Sequence, residues 1–216
     1  MQKARIPRIA EVLYPGAFFR IPSENKKTVY LTFDDGPIPE ATPLVLDILK
    51  EYHAKATFFC VGDNVKKYPD IFQRVINEGH AIGNHTHNHI DGWKNSVKEY
   101  ADNVSVCAGV VNSKLFRPPY GRITLKQFRR LKKDYRMIFW DVLSMDYDLE
   151  ISAENCLDLV KNYTRPGSII VFHDSIKAKD KIPYLLPKSL EFLRAEGYEL
   201  KPIPMAGKTH DETVEK

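Results

Sequence analysis

Between about Thr28 and Ile203 the apolar residues of this chain switch seven times between a strand-like run and a helical period, with no linker and no internal repeat. Strand-like runs fall at 28–31, 56–61, 80–84, 114–117, 136–142, 168–172 and 198–203. Helical spacing begins near Pro43, at Pro69 and near Asn95, recurs through Leu125, Phe128 and Leu131, follows a capping Ser152, and returns with Leu186, Leu190 and Leu193. The helix at 69–78 is expected to bury Ile71, Phe72, Val75 and Ile76. Strict alternation of this kind calls for a parallel sheet with helices outside it, either a closed or nearly closed barrel or an open doubly wound sheet.

Where the polar residues fall separates the two. Asp34, His85, Arg117, Asp146 and His173 each lie at or just past the C-terminal end of a different expected strand. An open sheet gathers its site at one switch point, whereas a barrel brings every strand end around one mouth. Five strands contributing to one place imply a barrel. Residues 1–27 read as a lead-in packing on that barrel, 28–205 as the functional domain, and the polar stretch 206–216 as a disordered tail.

The stretch Thr32-Phe33-Asp34-Asp35-Gly36-Pro37 stands at the first of these strand ends. Neighbouring strand side chains point to opposite faces, so two adjacent aspartates do not ordinarily share a site. Gly36 and Pro37 end the strand at once, and a turn there can bring both carboxylates to one cavity. Two acids side by side repel, which suits one of them binding a cation while the other stays free as a base. Taken alone, the stretch is also an ordinary Asp-Gly turn.

Matching ligands follow in Gly83-Asn84-His85-Thr86-His87-Asn88-His89. With a helical turn beginning near His85, His85 and His89 stand one above the other and complete, with Asp35, a set of two imidazoles and a carboxylate that suits a catalytic zinc. His87 is expected at the rim or behind the ligands; the other reading of the segment is a histidine-rich surface loop. In Arg117-Pro118-Pro119-Tyr120-Gly121 two prolines stiffen the chain at the barrel mouth. Arg117 can there pair with Asp34, and a backbone N–H near Tyr120 can face an oxyanion. Asp146 is a candidate partner for a histidine and Tyr147 a wall for a sugar ring. His173, after five apolar residues, sits at the rim of the core as a proton donor to a leaving group.

These segments, together with Phe172-His173-Asp174 and the supporting Ala56-Thr57-Phe58-Phe59 and Gly79-His80-Ala81-Ile82, resemble the ordered motifs of the polysaccharide deacetylases, carbohydrate esterase family four, the NodB homology domain. The resemblance implies a distorted (β/α) barrel of about seven parallel strands, TIM-barrel-like, and metal-dependent removal of acetyl groups from N- or O-acetylated sugars, as in peptidoglycan or chitin-type glycans. It assigns Asp34 as general base, Asp35, His85 and His89 as ligands of one divalent ion (zinc first, with cobalt, nickel or manganese as alternatives), and His173 as general acid. Arg117 would hold Asp34, Asp146 would tune His173, Thr86 would hydrogen-bond near the second ligand, and Tyr120 would supply the oxyanion amide. Pro118, Tyr147 and Val171 would meet substrate. Tyr147 stands where members often carry Trp, Val171 replaces a frequent Leu, and Leu143 lies in a stretch that is often more polar. A hydrolase of the same fold acting on an amide of a small metabolite is the alternative, and a non-catalytic glycan-binding protein a further one.

A net charge of +4 over 216 residues does not mark a nucleic-acid binder. The basic run Arg129-Arg130-Leu131-Lys132-Lys133 reads as a solvated helix face, with Leu125, Phe128 and Leu131 inward. Cys60, Cys107 and Cys156 lie in apolar patterns without metal spacing and are expected as free core residues in a reducing compartment. No apolar run approaches the roughly 18 residues of a membrane helix, and Pro7, Glu11 and Pro15 interrupt any secretory core. The expectation is a soluble cytoplasmic protein, or a secreted one whose leader has been removed.

Overall fold

The structure, a computed structural model, describes residues 9–22 and 27–204. Its elements in chain order are α1 (Ile9–Leu13), β1 (Thr28–Asp34), α2 (Thr42–Glu51), β2 (Thr57–Cys60), α3 (Gly62–Lys67), α4 (Pro69–Asn77), β3 (Ala81–Asn84), α5 (Val97–Ala108), β4 (Leu115–Phe116), α6 (Leu125–Leu131), β5 (Arg136–Met137), β6 (Val142–Leu143), α7 (Ala153–Tyr163), β7 (Ile169–His173), α8 (Ile182–Ala195) and β8 (Glu199–Lys201). The strands pair in parallel in the order β5-β4-β3-β2-β1-β7-β6. β1 is central and fully buried. One of its edges takes β7, and the other takes β8 over Thr28–Tyr30 and β2 over Thr32–Asp34.

The expected strand at 136–142 is two strands, and the division explains how the sheet closes. β5 pairs with β4 at one end of the strand order and β6 with β7 at the other. Within one short segment the chain therefore leaves one edge and joins the opposite one. The Ile138 N–H still donates to Phe116 O, whereas the Asp141 N–H donates to Ile169 O. A sheet whose two edges are served by consecutive residues must be curled into a barrel, distorted at this seam. Phe18 and Arg20 bridge to Ile138 and Ser168 across the seam.

Side-chain alternation then sorts the residues into two layers. Leu31, Phe33, Phe58, Ile170 and Phe172 point outward and form one core with the helices. Tyr30, Phe59, Leu115, Ile138, Ile169 and Ile203 fill the barrel interior. Above them, nearer the C-terminal strand ends, the interior turns polar.

The helices owe their limits to local chemistry. Ser96 with Glu99, and Thr124 with Gln127, form capping boxes at the starts of α5 and α6, and Ser152 caps α7. Gln127 is buried in this role, while Leu125, expected inward, is exposed. In α4 Phe72 and Val75 are buried and Ile71 is partly buried, but Ile76 is exposed: the buried stripe runs along positions 72 and 75, and Ile76 lies past its edge. Arg129, Arg130, Lys132 and Lys133 are exposed, as a solvated face requires. The three cysteines are free and buried. No helix among the described residues is long and apolar enough to cross a membrane. The expected tail at 206–216 lies outside the described residues.

Candidate active site

Arg117 lies inside the barrel, against the apolar layer. It is fully buried, with its guanidinium over the Phe59 ring at 4.1 Å. Its Nη1 donates to Thr32 Oγ1 at 2.8 Å and to Asp34 Oδ1 at 2.6 Å, and its Nη2 to Phe139 O at 3.1 Å. The arginine is thus deeper than the rim position expected for it. A buried guanidinium needs its donors filled, and here carbonyls and the Asp34 carboxylate fill them. Asp34 is held from beneath, in register with His173 on the adjacent strand.

Beyond Asp34 the chain leaves the strand conformation. Asp35 takes φ 88°, in the left-handed region, and the following Gly36–Pro37 bond is cis. The departure from extended backbone turns two successive carboxylates to one side. Asn64, in the unforeseen helix α3, donates to Asp35 O at 2.7 Å.

Asp35 Oδ1 lies 3.0 Å from His89 Nε2 and 3.7 Å from His85 Nε2. No helical turn brings the imidazoles together. Residues 85–91 form a loop with positive φ at Thr86 (62°) and His89 (53°). Side-chain bonds stand in for the helical ones. Asn84 Oδ1 accepts from the Thr86 N–H, Thr86 Oγ1 accepts from the Ile90 N–H, and Asn103 Oδ1 of α5 accepts from the His87 and Asn88 N–H groups. His87 packs against Gly62, away from the cavity lining.

The trio fits a divalent cation. His85 Nδ1 is 2.8 Å from Arg117 O and His89 Nδ1 3.1 Å from Tyr120 Oη, so each ring keeps Nε2 for the Asp35 side. The three donor atoms lie within 4.8 Å of one another. Burial lowers His85 to about 4, leaving its imidazole neutral as a ligand must be. Burial opposes the Asp35 charge, but the His89 hydrogen bond and the positive charge of His173 outweigh it, and the carboxyl is lowered.

On the opposite flank His173 Nδ1 is 2.7 Å from Asp146 Oδ1, and its backbone N–H donates to Asp146 Oδ2 at 2.7 Å. Burial works against the imidazolium, yet the Asp146 charge and hydrogen bond prevail and His173 rises to about 9. Lys181 fastens the loop of Asp146 by donating to the carbonyls of Asp146, at 3.1 Å, and Asp148. The Tyr147 ring stands edge-on to His173 at 4.8 Å.

Asp34, Asp35, His85, His89, Tyr147 and His173 open into one cavity of about 600 Å³, lined also by Ile38, Pro118, Tyr120, Trp140, Leu143 and Val171. The residues expected on sequence grounds therefore converge, with Asp146 and Arg117 one step behind the surface. Asn64, Asn103 and Lys181 went unforeseen; each is a polar residue in a helix or at its start, where neither period nor motif distinguishes it from a solvated one.

A barrel mouth carrying a paired carboxylate, an imidazole and a two-histidine, one-aspartate trio has the groups a hydrolase needs. Residues 22–138 match the polysaccharide deacetylase family model. The chain is 38% identical over 185 residues to a peptidoglycan-N-acetylglucosamine deacetylase of Bacillus cereus, covering 78% of this chain and 67% of that protein. It is 32% identical over 207 residues to a chitooligosaccharide deacetylase of Azorhizobium caulinodans, covering 84% and 95%. The crystal structure of a peptidoglycan N-acetylglucosamine deacetylase in complex with a hydroxamate-type benzamide superposes with a TM-score of 0.80 at 31% identity, covering 92% of this chain and 96% of that one. The chain belongs to the polysaccharide deacetylase family, hydrolases acting on carbon–nitrogen bonds other than peptide bonds.

Proposed function

We propose that this protein removes the acetyl group from N-acetylated sugars of a glycan of the peptidoglycan or chitin type. The observation that carries the reading is the pairing of Asp34 with His173 in register across β1 and β7, each with its own partner behind it. A base and an acid on neighbouring strands, above one cavity, can serve the two ends of a single hydrolytic step.

In that step Asp34, oriented by Arg117, accepts the proton of the attacking water. The apolar patch of Leu143, Val171 and Trp140 seats the acetyl methyl group. The Tyr120 backbone N–H faces the developing oxyanion. His173, kept protonated across neutral pH by Asp146, gives its proton to the departing sugar nitrogen. An amide nitrogen leaves only once protonated, so an acid that holds its proton up to about pH 9 suits an N-acetyl group. Asp35, His85 and His89 would hold one divalent cation, zinc by donor type, and that cation supplies Lewis-acid polarisation of the acetyl carbonyl and a more acidic water.

The test is acetate release from N-acetylated oligosaccharides of peptidoglycan and chitin type, beside O-acetylated glycans and small linear and cyclic amides, with and without chelator. Chelator-sensitive acetate from the N-acetylated glycans is expected. Turnover confined to the small amides would overturn the assignment.

A further inference from the structure

Asp174 follows His173 directly and is 1% exposed, yet it does not line the cavity and takes no part in the chemistry above. Its backbone N–H donates to Asp34 O at 3.1 Å, which extends the β1–β7 ladder by one bond. Its side chain does something less ordinary. Oδ1 accepts from the Gly36 N–H at 3.1 Å, and Oδ2 accepts from the Thr42 hydroxyl at 2.6 Å. Thr42 Oγ1 in turn accepts from the Ile38 N–H at 2.8 Å. One carboxylate therefore grips residue 36 directly and residue 38 through a hydroxyl. The approach is so close that a Cβ on Gly36 would overlap the carboxyl, so any larger residue there would have to push Asp174 aside.

A buried acid is a poor means of stabilising a fold: burial pushes the Asp174 carboxyl up to about 8, against the opposing effect of its bonds from Thr42 and Gly36. Its place here is better understood from what it grips. Asp35 sits at φ 88°, a conformation that costs energy for any residue with a Cβ and persists only where its surroundings impose it. Were the chain to relax to extended backbone, Asp35 would turn to the face opposite Asp34 and away from the two imidazoles. Three contacts oppose that relaxation around the turn. Asn64 holds Asp35 O, the Val61 N–H holds Gly36 O at 2.9 Å, and Asp174 takes the Gly36 N–H. Asp34 is independent of them, since its strand pairing and Arg117 hold it.

We propose that Asp174 is a positioning residue which, through Gly36 and Thr42, fixes the turn that sets Asp35 against His85 and His89 and thereby sets the affinity of that trio for a divalent cation. The proposal rests on the reading of the trio as a cation site. It predicts a separation of effects. Loss of the clamp weakens cation binding, whereas the base stays in place, so saturating cation restores most of kcat.

The test titrates the full chain, stripped with chelator, with Zn²⁺ against a competing chelator, beside the melting temperature of the stripped protein. Asp174→Ala is expected to weaken Zn²⁺ binding by about 10–100-fold. Asp174→Asn should return it close to the wild-type value, because an amide can accept from Gly36 and donate to Thr42. Thr42→Val loses only the Ile38 arm and should fall between them, which keeps the test intact if the alanine variant does not fold. Wild-type Zn²⁺ affinity in Asp174→Ala or Thr42→Val, with only the melting temperature lowered, overturns the proposal alone, and so does an Asp174→Asn as weak as alanine. A wild-type chain that binds no Zn²⁺, indistinguishable from Asp35→Ala, overturns the cation site as well.

Discussion

His173 and the Asp146 carboxylate are joined twice, ring Nδ1 to Oδ1 and backbone N–H to Oδ2, both at 2.7 Å. The second bond fixes the carboxylate relative to the strand, and the first then fixes the ring relative to the carboxylate. One nitrogen is thereby committed and Nε2 is left for the cavity.

From this pair follows a pH dependence. Despite burial, the Asp146 charge and hydrogen bond raise His173 from its ordinary 6.5 to about 9. The folded chain therefore holds a proton that the unfolded chain releases earlier. The pair's contribution to stability is complete below pH 6.5 and is lost as the pH rises through about 9. A bound cation adds positive charge nearby and can only lower the value, so the basic limb of kcat/KM lies at or below it. In Asp146→Asn that limb moves toward 6.5, and kcat/KM at pH 8 falls by up to about 30-fold. A limb that stays in place would exclude Asp146 as the cause.

Arg117 makes a prediction about stability. Asp34 is 4% exposed and Arg117 fully buried. Arg117→Met leaves the Asp34 carboxylate without a counter-charge, at a cost of about 3–5 kcal/mol in urea unfolding. Arg117→Lys keeps the charge but loses the fork that reaches Thr32, Asp34 and Phe139 together, so it should fold better than Met and still lose most activity. A methionine variant as stable as wild type would contradict the pairing.

Much of this site was legible in the chain itself, for a physical reason. Strand ends are fixed by short apolar runs, so Asp34, Asp146 and His173 could be placed at one mouth from spacing alone. What escaped was whatever depends on side chain meeting backbone across distance. The histidine loop owes its shape to Asn84, Thr86 and Asn103 rather than to a helical period. The segment at 136–142 reads as one strand because its residues are apolar and aromatic almost throughout, and only pairing partners on opposite edges reveal the seam. Asp174 stood within a motif without a role, because its partners, Gly36 and Thr42, lie more than 130 residues earlier.

Acid stability provides a separate prediction. His80 is buried against Phe58, and its Nδ1 accepts the Ala56 N–H at 3.2 Å, which requires a neutral ring. Burial, assisted by Lys55, lowers it to about 4, and burial lowers His85 to about 4 as well. The unfolded chain binds these protons near pH 6.5 and the folded chain only near 4, so stability should fall as the pH drops across that window. Urea midpoints of the chelator-treated chain would show the slope, and His80→Gln should remove about one proton of it. An unchanged slope in that variant would contradict the assignment.

The proposed chemistry requires a division of labour between two adjacent aspartates, Asp35 for the cation and Asp34 for the proton. It is tested most directly by measuring bound zinc and acetate release together in Asp34→Asn and Asp35→Asn. The predicted result is zinc retained near one ion per chain but turnover lost by about 10²–10⁴-fold in Asp34→Asn, and both zinc and turnover lost in Asp35→Asn. Substantial acetate release by Asp34→Asn, or full zinc content in Asp35→Asn, would contradict it.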